Sequence, residues 1–525
     1  EAFLSIHQPT TRDEADIARA RLTFDEALVL QLLLAQRKAE VRSLPTKARG
    51  VIQVGLVSEF ENLLPFTFTD GQREVIAEIE EDMAKSYPMH RLLQGEVGSG
   101  KTVVALRAML TAVDSGGQAA LLAPTEVLAA QHYSTIHRIL GPLASAGTLG
   151  GSEHGTRVVL LTGSMSVAAK RAIHGEISSG HAGIVIGTHA LLSEGVNFKE
   201  WGLVVVDEQH RFGVEQRDAL REKAEQPPHL LVMTATPIPR TVAMTVFGDL
   251  DVSTLRQLPA GRPAITSHLV PALDKPHFLD RAWQRIREEV EKGHQAYVVA
   301  PRISATESED SPSPITARDR EVAAAMGVTL EQAPEPKNMY AVEELAPMLA
   351  LGPLKGLRIA PLHGRQSAEL KEETMRAFSE GKIDVLVSTT VIEVGVDVAN
   401  ASVMVIMNAD RFGVSQLHQL RGRVGRGAHQ SICLLVTSVD AESSAMRRLN
   451  AVASTTDGFE LSRIDLEERR EGDVLGSAQS GVRSHLRLLR VLRDEELIIK
   501  ARDIAEGLIS ENPDLSSHPA LRAEV

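Results

Sequence analysis

Apolar and polar positions follow two different rhythms along this chain, and the rhythm changes at identifiable places. Residues 13–43 carry the helical one, with Leu28, Leu32 and Ala35 recurring at the spacing of a single helix face. Thr23-Phe24-Asp25-Glu26 has the Thr-x-x-Glu form of a capping box, which predicts that the run 27–42 opens there. Between about 60 and 255, short β-rich runs alternate with amphipathic stretches. The runs 119–123, 158–161, 184–186, 203–206 and 230–233 are apolar throughout, as strands covered on both faces of a parallel sheet are. The rhythm returns at 296–300, 357–360, 385–387, 403–407 and 432–436. Two α/β domains in tandem is the economical reading, although the halves are not obvious repeats of each other.

Residues 304–340 break the pattern with seven acidic residues, three basic ones and four prolines around Ser311-Pro312-Ser313-Pro314. A solvated insertion is expected there, with a short helix near 318–326. The tail from about 440 reads as helical and charged. The plan that results is a helical segment over 1–60 and α/β domains over 61–260 and 261–440, the second interrupted at 304–340. A helical region over 441–525 completes it.

Composition narrows the class without naming it. Of 525 residues, 43% are hydrophobic and 24% charged, which rules out wholesale disorder and collagen-like repeats. The single cysteine, Cys433, excludes a disulfide framework and a cysteine-based zinc site, and its apolar run marks it as core. No uncharged apolar run reaches the roughly 18 residues of a membrane span. The chain opens at Glu1 with no apolar signal segment, so a cytoplasmic protein lacking an N-terminal region is expected. A net charge of −13 and 3% aromatic residues lean against a nucleic-acid partner. The motifs reverse that lean.

Gly95-Glu96-Val97-Gly98-Ser99-Gly100-Lys101-Thr102 matches G-x-x-x-x-G-K-[ST] and follows the apolar pair Leu92-Leu93. Glycines let backbone N–H groups turn inward around phosphate oxygens, and the helix that follows offers its positive end. Lys101 is placed to reach the β- and γ-phosphates of ATP, and the Thr102 hydroxyl to sit on Mg²⁺. The run 203–206 ends in Asp207-Glu208-Gln209-His210. A carboxylate at a strand end can hold a Mg²⁺ water while its neighbour deprotonates the attacking water, so Asp207 is assigned to the metal and Glu208 to the general base. Gln419-Leu420-Arg421-Gly422-Arg423-Val424-Gly425-Arg426 supplies cations for transition-state charge, with Arg423 and Arg426 expected three apart on one helix.

Taken together these residues resemble a superfamily 2 helicase motor. That resemblance implies two RecA-like parallel-sheet domains that clamp ATP between them. Thr234-Ala235-Thr236 resembles the element that couples hydrolysis to strand movement, with His210. Phe66 and Gln72 resemble the element that reads adenine, for which a Gln amide is chemically apt. Gln419 and Asp397 join the ATP site on the same resemblance.

The match narrows to the bacterial RecG family of branch-migration helicases. Asp207-Glu208-Gln209-His210-Arg211-Phe212-Gly213-Val214, Met233-Thr234-Ala235-Thr236-Pro237-Ile238-Pro239-Arg240-Thr241 and Gly248-Asp249-Leu250-Asp251 carry it. So do Gly458-Phe459, Asp465-Leu466-Glu467 and Gly476-Ser477-Ala478-Gln479-Ser480-Gly481, the last block resembling a translocation motif. The family implies an ATP-dependent translocase on branched double-stranded DNA, acting on stalled forks and Holliday junctions in recombination and repair. It also implies a monomer, a single-strand-binding protein as a further partner, and no membrane. Arg448 and Gln479 match its translocation residues.

Two departures stand out. The family's N-terminal wedge domain has no counterpart here, and Arg470 stands where the family usually has Gly. Thr125, Thr188, His189, Thr389 and Thr390 are the candidates for DNA phosphate contacts, which position without reading sequence. Arg483, Arg487, Arg490 and Arg493 are spaced as one helix face, either solvated or against duplex backbone. Two alternatives remain open: the transcription-repair coupling relative, and a DNA-binding scaffold that binds ATP without turnover. Intact Lys101, Asp207, Glu208, Arg423 and Arg426 speak against the scaffold.

Overall fold

The computed structural model describes all residues except 1, 53, 194, 208–225, 236–237, 247, 258–264, 305–339, 390–397, 426, 428, 469–487, 492 and 525. The expected insertion and its short helix therefore lie outside the described residues. The chain forms two compact units, one of residues 1–260 and 457–525 and the other of residues 261–456.

The first unit is built on a seven-stranded sheet in the order β3-β4-β2-β5-β6-β1-β7. In chain order its strands are β1 (His90–Gly95), β2 (Gln118–Leu122), β3 (Arg157–Leu161), β4 (Ala182–Gly187), β5 (Trp201–Asp207), β6 (His229–Thr234) and β7 (Asp251–Leu255). Every pairing is parallel, and the strand residues pack into apolar cores on both faces. That burial is why the apolar runs were legible as strands. β7 escaped because Asp251, Val252 and Thr254 stay half-buried on the sheet edge, which gives a mixed polar pattern.

The N-terminal helix runs unbroken over Arg12–Ser43, so the capping box expected at Thr23 does not open it. Thr23 lies inside the helix and its hydroxyl donates back to the Arg19 carbonyl at 2.9 Å, a bond open to any mid-helix threonine. The cap is Thr11, whose side chain accepts from the Glu14 amide. One face of this helix, with Ala27, Leu28, Leu32 and Ala35, packs with Ile498, Ala501, Ala505 and Ile509 of helix Glu495–Glu511. Lys38 also pairs with Asp251 of β7 at 2.6 Å. No described helix is long and apolar enough to cross a membrane.

The second unit has a six-stranded parallel sheet in the order β10-β11-β9-β12-β13-β8. Its strands are β8 (Ile265–Pro271), β9 (Gln295–Val299), β10 (Ile359–Leu362), β11 (Val385–Ser388), β12 (Ala401–Ile406) and β13 (Ser431–Thr437). β8, an edge strand of alternating exposure, was not expected. β10 begins two residues later than the run 357–360, because Arg358 is held at the strand entrance by Asp384. Cys433 is core as expected, 1% exposed, and burial pushes its thiol up to about 12.

Candidate active site

In the first unit all strands run the same way, so their carboxyl ends share one edge, the usual ligand edge of such sheets. The expected residues gather there. β1 ends at Gly95, the loop turns, and helix Lys101–Asp114 begins at Lys101. Gly98 and Gly100 hold φ of +85° and +90°, the left-handed region that only glycine adopts freely. At Gly100 a Cβ would also stand 2.3 Å from the Gln72 amide nitrogen, so a side chain there would displace Gln72.

Lys101 Nζ donates to the Gly95 and Glu96 carbonyl oxygens at 2.7 and 2.9 Å, which lays the ammonium over the loop. Thr102 is half-buried at the helix start. Ser99 is fully buried, and its hydroxyl has no hydrogen-bond partner among the described residues.

Gln72 is 3% exposed and braces the loop from outside. Its Nε2 donates to the Ser99 carbonyl at 2.8 Å and its Oε1 accepts from the Thr69 amide at 2.9 Å. One N–H and one lone pair of the amide remain, the donor-acceptor pair that an adenine edge needs. Phe66 is 48% exposed, which leaves its ring face open for stacking.

Asp207 closes β5 in register with Met233 of β6, and Gln94 of β1 is in register with Thr234. The phosphate loop, Thr234 and Asp207 thus end three adjacent strands. Two further residues act here that the sequence did not single out. His132, on helix Glu126–Leu140, places Nε2 2.7 Å from Asp207 Oδ2, with both side chains largely buried. Gln94 accepts from the Ile238 amide at 3.0 Å and donates to Thr254 Oγ1 at 2.9 Å, pinning the segment after β6 to β1 and β7. A polar residue closing an apolar strand was the available signal for Gln94; nothing local marks His132. Glu208, His210 and Thr236 lie outside the described residues.

In the second unit, helix Val414–Arg421 carries Gln419, half-buried. The expectation of a helix through Arg423 and Arg426 is corrected. The helix stops at Arg421 with Gly422 as its cap, Arg423 sits in the turn beyond, and Gly425 has φ +72°. Arg421 is the structural arginine of the group: its guanidinium donates to the Val452 and Thr455 carbonyls and meets His418 Nδ1. Arg426, Asp397 and Thr390 lie outside the described residues.

The candidate DNA contacts fall at strand ends. Thr125 caps helix Glu126–Leu140 by accepting from the Leu128 amide at 3.3 Å. Thr188 is buried and caps the turn His189–Leu192, and His189 is exposed. Thr389 is buried after β11. Arg448 donates to the Asp410 carbonyl at 2.6 Å. Gln479, Arg470, Arg483 and Arg487 lie outside the described residues. Arg490 and Arg493 do not continue a helix face: helix Glu495–Glu511 begins after them, and Leu489 and Val491, on either side of Arg490, are buried.

Three family models match the chain: DEAD/DEAH box helicase over residues 69–245, helicase conserved C-terminal domain over 337–428, and ATP-dependent DNA helicase RecG, domain 3, C-terminal, over 455–521. The chain is 54% identical over 505 residues to the ATP-dependent DNA helicase RecG of Mycobacterium tuberculosis, covering 96% of this chain and 66% of that protein. The corresponding protein of Mycobacterium leprae is 53% identical over 525 residues, with 99% and 68% covered. Among solved structures, RecG bound to a three-way DNA junction aligns with TM-score 0.72 and 36% identity over 96% of this chain and 59% of its own. The chain thus spans about two thirds of the length of the two mycobacterial relatives and 59% of the solved chain.

Proposed function

The chain belongs to the RecG family of ATP-dependent DNA helicases, and from that premise we propose that it is the ATP-hydrolysing motor of a double-stranded DNA translocase. Its substrates in this reading are branched DNAs, stalled forks and Holliday junctions, remodelled in recombination and repair. The observation that carries the reading is the loop 95–102, which brings inward-turning glycines and Lys101 to the same sheet edge as Asp207.

The donor set suits magnesium. Among the described residues no cluster of three or more His, Cys, Asp or Glu side chains could hold a metal. The Thr102 hydroxyl and the Asp207 carboxylate would hold a Mg²⁺, sparse protein ligation of the kind that this ion accepts. When bound, it neutralises phosphate charge. His132, 2.7 Å from Asp207 Oδ2, orients the carboxylate that would take that role.

Lys101 exchanges the Gly95 and Glu96 carbonyls for phosphate oxygens, and the loop amides take the rest of the charge. Glu208 deprotonates the attacking water. Arg423 and Arg426, with Gln419 and Asp397, are the second unit's residues for ATP, the arginines being cations of the kind that stabilise a phosphoryl-transfer transition state. Phe66 and Gln72 hold adenine, and His210, Thr234 and Thr236 pass hydrolysis on to the DNA-binding residues. Thr125, Thr188, His189, Thr389 and Thr390 grip phosphates through hydroxyl, imidazole and helix-end groups, which is compatible with a net charge of −13. Arg448 and Gln479 convert hydrolysis into movement along DNA. Action as a monomer in the cytoplasm, alongside a single-strand-binding protein, belongs to the same proposal.

The test is hydrolysis. Glu208→Gln should bind Mg·ATP yet lose roughly 10²–10⁴-fold in phosphate release with forked DNA, the usual worth of a general base. Turnover near the parent rate would remove Glu208 from the role.

A further inference from the structure

After leaving the first unit at residue 260, the chain returns to it at Asp457, and the first residues it lays down there rest on the phosphate loop. Helix Gly458–Glu468 must satisfy the amides of its first turn. Asp457 Oδ1 accepts from the Phe459 and Glu460 amides at 2.8 and 3.2 Å, and the Asp457 carbonyl accepts from Leu461 at 3.0 Å. The remaining amide, that of Gly458, is buried and donates to Glu96 Oε1 at 2.8 Å. A carboxylate suits this place, at the positive end of the helix. A second contact supports the first. The Arg256 guanidinium, just past β7, lies 5.8 Å from the centroid of the Phe459 ring. Gly458 and Phe459 therefore touch the loop after β1 and the end of β7, its neighbour in the sheet.

Glu96 faces two ways. Its carbonyl oxygen accepts from Lys101 Nζ at 2.9 Å and from the Ser99 amide at 3.1 Å, while its carboxylate holds Gly458. We infer that Glu96 is a positioning residue linking the phosphate loop to helix Gly458–Glu468, so that nucleotide binding at the loop is registered at the start of the C-terminal helical region. A phosphate that draws the Lys101 ammonium to itself takes a charge-assisted bond away from the Glu96 carbonyl. The peptide that relaxes is the one whose side chain anchors the helix. The path is short: ammonium, carbonyl, carboxylate, helix amide. It rests on the reading that loop 95–102 binds nucleotide phosphate.

Two measurements on the 525-residue chain keep the two claims apart: Mg·ADP binding by calorimetry, and hydrogen exchange of a peptide covering 457–468 with and without Mg·ADP. The parent should bind ADP and change its exchange at Gly458. In Glu96→Ala, exchange at Gly458 without nucleotide should be about fivefold faster, as loss of one hydrogen bond implies, and should no longer respond to ADP. Glu96→Gln keeps an acceptor and should recover part of the response. Arg256→Ala should loosen Phe459 while leaving the response at Gly458 in place, which a merely structural docking of the whole turn would not allow. ADP binding with no change at Gly458 in the parent overturns the link and leaves the loop's role standing. So does a Glu96→Ala protein that responds like the parent, or a Glu96→Gln protein as silent as Glu96→Ala. Absence of ADP binding in the parent would instead overturn the reading of the loop.

Discussion

The two α/β units share a six-strand plan and differ at the loop after its first strand. The order β10-β11-β9-β12-β13-β8 repeats β3-β4-β2-β5-β6-β1, with β7 added at the edge of the first sheet. The likeness reaches single side chains. Gln118, opening β2, donates from Nε2 to the Ile177 and Ala182 carbonyls at 3.0 and 2.7 Å. Gln295, opening β9, donates to the Phe378 and Ile383 carbonyls at 2.6 and 2.7 Å. Each is 3% exposed and closes the gap between a helix end and the neighbouring strand. After β3 and β10 the turns Gly163–Ser166 and Gly364–Ser367 each end in a serine that caps the next helix.

The counterpart of β1 is where they part. β1 leads through a glycine-rich loop into a helix; β8 leads through Ala272-Leu273-Asp274-Lys275 into helix Pro276–Glu291, whose first residue has no N–H to offer. On a shared strand order, the glycine-rich connection follows β1 and not its counterpart β8.

The largest effect that could break this comparison is catalytic. Lys101→Ala should lower ATPase by about 10²-fold or more, in the range for removing one transition-state donor. Lys275→Ala at the matching place should leave it within about twofold, as surface changes do. Equal losses, read by phosphate release, would mean that both connections handle phosphate. Next come the glutamines. Gln118→Ala and Gln295→Ala each strand buried carbonyls and should each cost roughly 2–3 kcal/mol. Urea unfolding followed by hydrogen exchange of peptides from each unit should show the loss confined to the unit that carries the change.

A pH series separates the units further. Burial pushes His229 in the first unit down to about 4, although its ring also meets the Lys47 carbonyl. The Met89 amide donates to Nδ1, which requires a neutral ring. A folded value below the ordinary 6.5 means that the unfolded chain takes up the proton more readily. Stability from this group is complete above about 6.5 and falls toward pH 4, by about 2 kcal/mol at pH 5.

In the second unit, burial would raise Glu289, but Lys292, His294 and Ser402 bond its carboxylate and hold it at about 2. Its contribution is complete above the ordinary 4.5 and is lost only toward pH 2. Between pH 6.5 and 4.5 the His229 term weakens the first unit while the Glu289 term is constant. Exchange rates at pH 7 and 5 check this, and His229→Gln should flatten the first unit's slope. The smallest effect is at the caps: Ser166→Ala and Ser367→Ala should each cost about 1 kcal/mol and leave ADP affinity unchanged.

What was legible in the sequence is what local pattern determines. Buried strands read as apolar runs, and the phosphate loop reads as fixed glycines before Lys101, because its amides need that spacing. Edge strands β7 and β8 did not read, since half their residues face away from the core. A Thr-x-x-Glu string occurs at both Thr11 and Thr23, and the chain's tertiary packing, not the string, decides which one caps a helix. His132 and the Glu96–Gly458 bond join residues 75 and 362 positions apart, so no local signal exists for either. The shared strand order was hidden because the matching positions, such as Gln118 and Gln295, are a few buried polar side chains.

The discontinuity of the first unit has a consequence for synthesis on the ribosome. Helix Arg12–Ser43 emerges first, and helix Glu495–Glu511, against which its apolar face packs, emerges about 450 residues later. At roughly 5–20 residues per second that is about 20–90 s. The second unit is continuous, residues 261–456, and can fold during that interval. The first unit must hold Leu28 and Leu32 without these partners until helix Glu495–Glu511 has been made. Elongation speed and chaperone supply are therefore expected to govern yield through the first unit's N-terminal helix, and a pause placed after residue 456 should lower soluble yield more than one placed before residue 261.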